Sequence, residues 1–226
     1  MTVTRALPLL LVLVSSRGLA QGRPQLEGRV DQATLAALRP VLSAAAAESL
    51  PVRPLEDKAL EGMAKKVPST RIVDAVRQMV TSLREARGLL RNGAPALRPS
   101  EGEIVAAADA RRRGVPPEEI TTLRREAPSS PLVVPLTILS DLVERGVPAD
   151  QARSVIAEMA NRGTPMNQIA QIPGRVDVAL RVGATPAEAL RGALPAAARG
   201  RPENPPAGPP TSPGRRETPR GKGKVR

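Results

Sequence analysis

Arg145-Gly146-Val147-Pro148 reads as the end of one helix and the start of the next. Glycine fits the left-handed backbone that closes a helix. Proline fits the first turn of the following one, where its missing N–H has no partner to lose. Gly114-Val115-Pro116, Gly163-Thr164-Pro165 and Gly183-Ala184-Thr185-Pro186 carry the same punctuation. Thr185 with Glu188, and Ser100 with Glu103, have capping-box spacing. No aromatic or Thr-rich alternating run announces a strand. Residues 21–194 are therefore expected to be all-α: short helical hairpins stacked as a small α-solenoid or an irregular bundle.

The prolines keep a spacing as well. Pro51 to Pro68, Pro99 to Pro116, Pro131 to Pro148 and Pro148 to Pro165 are each 17 residues apart. One such step holds a helix of about three turns and a short connection, and two make a helical hairpin. A shift of 97 residues superposes Pro51 on Pro148, Pro68 on Pro165 and Ile72 on Ile169, which suggests an internal duplication; coincidence among 25 prolines is the competing reading.

The longest helix is expected over Ser69–Arg91. Ile72, Val76, Met79, Leu83, Ala86 and Leu90 follow alternating steps of four and three, with Arg77, Arg84 and Arg91 on another face. A core stripe is favoured over a coiled-coil dimer seam, because two or three heptads are too few to argue for dimerisation. Pro131 to Glu144 (PLVVPLTILSDLVE) is the most apolar internal stretch. It is expected to form the central buried element, with its helix beginning at Pro135 after an extended lead-in; a membrane-contacting hairpin is the competing reading, disfavoured because Asp141, Glu144 and Arg145 follow at once.

The core has to be aliphatic, since the 226 residues include no Phe, Tyr, Trp, His or Cys. GC-rich coding accounts for part of this, because Arg outnumbers Lys 29 to 5. The missing types also remove stacking platforms, imidazole bases, thiolate nucleophiles and soft metal ligands. No phosphate-binding loop, nucleophile elbow or EF-hand run is present, and Glu118-Glu119 suits the first turn of a helix better than a metal. Neither an enzymatic activity nor a cofactor or metal is expected.

The two ends of the chain read differently. Arg5, the apolar stretch Ala6–Val14 and small residues Gly18 and Ala20 have the order of a secretory signal cleaved after Ala20. With no Cys to acylate and no other long apolar run, the mature chain is expected to be exported, periplasmic or secreted, without a transmembrane segment. Residues 195–226 hold eight Pro and five Gly, and eight basic against two acidic residues, a net +6 of the chain's +12. This tail is expected to be disordered. Arg215, Arg216, Arg220, Lys222, Lys224 and Arg226 are its candidate contacts to a polyanion such as lipopolysaccharide, an anionic membrane surface or nucleic acid, without specific nucleic-acid recognition. A purely solubilising tail is the competing reading. Arg111-Arg112-Arg113 and Arg124-Arg125 are read as solvated helix ends, where cations suit the dipole.

The helical punctuation resembles that of small α-solenoids in general. It lacks the Trp, Tyr and Phe positions of tetratricopeptide repeats, so that family's function does not transfer. The expected function is a soluble interaction or scaffold protein of the bacterial cell envelope, whose partner is an unknown protein or an anionic envelope polymer. The alternative is polyanion binding through the tail.

Overall fold

The computed structural model describes residues 26–194. The expected signal segment 1–20 and tail 195–226 lie outside the described residues. Helices follow one another as α1 (Gln32–Ala47), α2 (Arg53–Ala64), α3 (Ser69–Gly93), α4 (Glu101–Arg112), α5 (Pro117–Glu126), α6 (Val133–Glu144), α7 (Ala149–Asn161), α8 (Met166–Ile169), α9 (Ile172–Arg181) and α10 (Pro186–Ala193). No strand occurs among the described residues, and the fold is all-α.

One exit closes most of these helices. At Gly146 (φ 81°) the chain turns left-handed, its N–H bonds Val143 O at 2.9 Å, and Val147 N–H reaches back to Leu142 O at 3.1 Å. That pair of bonds satisfies two carbonyls the helix would leave orphaned, and it tucks Val147 against the core. Gly114, Gly163 and Gly183 do the same at the ends of α4, α7 and α9. Ser49 (φ 57°) and Lys66 (φ 54°) take this position after α1 and α2 without glycine's freedom. A proline stands two residues after the left-handed position at five of the six exits and three after it at Gly183. The 17-residue proline steps thus each bracket one helix: α2, α4, α6 and α7. Both capping boxes form: Thr185 N–H donates to Glu188 Oε2 and Ser100 N–H to Glu103 Oε2, each at 2.9 Å.

The described residues gather into two compact units. The first spans 26–88 with 100–108, and the second 89–99 with 109–194, so α3 and α4 each run from one into the other. In the first unit, Ile72, Val73, Val76, Val80, Leu83 and Ala86 of α3 are buried, as are Leu38 and Leu55. Apart from the half-buried Met79, the heptad stripe is core, while Arg77, Arg84 and Arg91 face solvent. Gly62 lets α2 approach α3 closely: a Cβ there would lie 2.7 Å from Ile72 Cγ1.

In the second unit α6 packs against α7, α8 and α9, and buries Pro135, Leu136, Ile138, Leu139, Ser140 and Leu142. It is a central buried element, but it does not start at Pro135. The helix begins at Val133, after Leu132 (φ −97°, ψ 0°). Pro135 falls in the first turn, where its nitrogen has no intrahelical acceptor to miss, so the ring is accommodated two residues inside the helix.

Candidate functional site

The polar chemistry of the described residues is organised around arginine. Five guanidinium groups reach from one helix, or its exit, to an acidic residue on another. Arg84 of α3 grips Glu48 with both faces of its fork, Nε to Oε2 at 2.8 Å and Nη2 to Oε1 at 2.7 Å. Arg87, one turn on, donates to the Glu48 carbonyl. Arg113, just past α4, donates from Nε to Glu144 Oε1 at 2.8 Å and from Nη2 to Asp141, both acids on α6. Arg145, just past α6, repeats the arrangement one step on: Nε to Asp177 Oδ1 at 2.7 Å and Nη2 to Oδ2 at 3.0 Å, on α9. Arg153 of α7 donates to Glu119 Oε2 at 2.6 Å and to Glu126, the two ends of α5.

The paired carboxylates are held in the charged form. Hydrogen bonding from Arg113 lowers the Glu144 carboxyl below its ordinary value; Arg145 does so for Asp177 and Arg84 for Glu48. Donating hydrogen bonds to Glu144 and Asp141 raises Arg113 further above its already high value. Planar forks suit such two-point contacts, which is why lysine would not replace these arginines.

The two basic runs singled out in the sequence are absorbed by this scheme. Arg111 and Arg112 do sit in the last turn of α4, and Arg124 and Arg125 in the last turn of α5, as expected for cations near a helix C-terminus. They are not uniformly solvated. Arg111 bonds Val115 O across its own helix end, and Arg113 is the clasp to α6. Arg124 is only 5% exposed and donates to Pro128 O at 3.1 Å. Burial of the aliphatic stem and the carbonyls that the α5 exit leaves behind turn these side chains inward. Glu118 and Glu119 occupy the first turn of α5 as expected, with Glu119 also receiving Arg153. Arg215, Arg216, Arg220, Lys222, Lys224 and Arg226 lie outside the described residues.

Two surface features remain. An open depression of about 550 Å³ between α5 and α7 is lined by Glu126, Ser154, Ala157, Glu158, Asn161 and Arg162. Its polar groups serve the fold: Asn161 donates to Glu126 O at 2.9 Å, and Arg162 pairs with Glu158. The second feature is the outer stripe of α9, where Val178 is 59% and Val182 81% exposed. Among the described residues no group of three or more Asp and Glu is placed to hold a metal ion, and no helix is long and apolar enough to cross a membrane. No family model, curated protein or solved structure matches this chain.

Proposed function

We propose that the protein is a non-enzymatic interaction scaffold of the bacterial cell envelope, exported by residues 1–20. The observation that carries this reading is how the arginines are used: they tie helix to helix rather than converging on a cavity. Such a part is suited to presenting surfaces. Fusing residues 1–25 to a reporter that is active only after export tests the location; a silent reporter removes the envelope from the proposal.

A second reading, polyanion binding through the tail, is favoured by the partition of charge. Residues 26–194 carry 23 basic and 20 acidic side chains, a net of +3, whereas residues 195–226 carry +6. The cationic excess lies in a segment with only Glu203 and Glu217 to set against eight cations. Replacing Arg215, Arg216, Arg220, Lys222, Lys224 and Arg226 by Gln in the full chain should shift elution from heparin to clearly lower salt, because fewer counterions are released per chain. Elution at unchanged salt would exclude the tail as the binding element.

A further inference from the structure

The outer stripe of α9 combines a composition and a position. Gln171, Gly174, Arg175, Val178, Arg181 and Val182 fall at helical spacing on one side, and all six are exposed. No acid is among them; Asp177, on the neighbouring side, is engaged by Arg145. What sets α9 apart is positional. At the six matching helix exits the residue before the left-handed position is Glu48, Lys65, Arg113, Arg145, Arg162 and Val182. Five are charged, as a solvated helix end requires. The sixth is a valine exposed to 81%, next to a second valine one turn earlier. Two of the four large exposed hydrophobics among the described residues meet here, with Arg175 and Arg181 beside them.

The sequence that follows adds the same sign of charge. Only α10 separates this stripe from the tail, and α10 packs on α9. An apolar pair flanked by cations and followed by a polybasic segment is complementary to an anionic bilayer surface. The methyl groups enter the boundary between headgroups and acyl chains, and each nearby cation gains from the negative surface potential. A stripe with two arginines and no acid is poorly matched to a second copy of itself, since like charges would meet across a two-fold axis. We infer that α9 is a membrane-surface contact: Val178 and Val182 seat in an anionic lipid surface, with Arg181 and Arg175, which also donates to Gln171 Oε1 at 3.0 Å, beside them to hold the headgroups. This inference rests on the polyanion reading and narrows its partner to a bilayer.

The test uses the full chain with sedimented vesicles of phosphatidylglycerol and phosphatidylethanolamine, against phosphatidylcholine alone. Comparing variants that share one N-terminus cancels any contribution of Ala6–Val14. The expected result is binding to the anionic vesicles only, with the Val178→Ser, Val182→Ser pair weaker by roughly tenfold and heparin elution unchanged. The Val178→Leu, Val182→Leu pair, which enlarges the apolar contact, should bind at least as tightly as the unsubstituted chain. Equal vesicle binding by the serine pair, or weakening by both pairs, overturns the α9 contact while leaving heparin retention as support for the broader reading. Loss of heparin retention by the unsubstituted chain removes both. A self-association that the serine pair abolishes, without vesicle binding, assigns the face to a second copy instead.

Discussion

Glycine meets three different demands in this chain. Gly88 lies inside α3 with nothing within 4 Å of where a Cβ would stand. Gly88→Ala therefore removes only backbone freedom from the unfolded chain, and should stabilise by about 1 kcal/mol in urea melts followed by far-ultraviolet dichroism. Gly93 ends the same helix, but there a Cβ would stand 2.5 Å from Thr121 O and 2.7 Å from Arg124 Cβ. Neither neighbour is free to yield, one being backbone and the other a buried side chain, so Gly93→Ala should cost about 1–3 kcal/mol by the same measurement. Gly146 answers to a third demand, the left-handed exit, as do its three counterparts. Lys66 meets that demand without being glycine, and Lys66→Gly should relieve the αL strain and gain about 0.5–1 kcal/mol. A Lys66→Gly chain no more stable than its parent would show that the exit carries no strain.

At the scale of the elements, the helices and their ends were legible because the information is local. A left-handed glycine, a first-turn proline and a capping box each act within about one turn, so Arg145-Gly146-Val147-Pro148 announced its exit without reference to the rest of the chain. The exits at Ser49 and Lys66 carried no glycine and were marked only by Pro51 and Pro68. Pro135 misplaced the start of α6, since proline is tolerated throughout the first turn and not at one position of it. The clasps were not legible. Arg145 was visible at a helix end, but its acid stands 32 residues away on another helix. Arg153 was equally silent, and it offers the sharpest test of what the clasps contribute. Its side chain and that of Glu119 are each 16% exposed. Arg153→Ala strands the Glu119 carboxylate in a half-dry site and should destabilise by about 1–3 kcal/mol. The double variant with Glu119→Gln should recover part of that loss in a double-mutant cycle. Arg77, whose pair with Asp74 is exposed, should change stability by less than about 0.5 kcal/mol on substitution by Ala.

For the whole molecule, pH should act in one direction only. Glu48, Glu144, Asp177 and Glu188 sit below their ordinary values through hydrogen bonds from Arg84, Arg113, Arg145 and Thr185, and Glu61, paired with Lys65 and Lys58, is lowered to about 2. In acid the unfolded chain takes up protons before the folded one does. The stabilisation is complete above the unfolded values of 3.8 for Asp and 4.5 for Glu, and is lost progressively as pH falls from these through the lower folded values. With no His, Cys or Tyr in the sequence, the melting temperature should stay level from about pH 6 to about pH 9 and then drop below about pH 4.5. A sag near neutrality would contradict this. The α9 stripe escaped the sequence reading for a related reason: Val178 and Val182 look like ordinary core valines until α6 and α10 have taken the opposite side of the helix. The aliphatic core has a further consequence, an optical one. A chain without aromatic rings is dark in the near ultraviolet, neither absorbing nor fluorescing there. One tryptophan placed at position 182 would be the sole emitter, and a blue shift on adding vesicles would report the depth of that helix end against zero background.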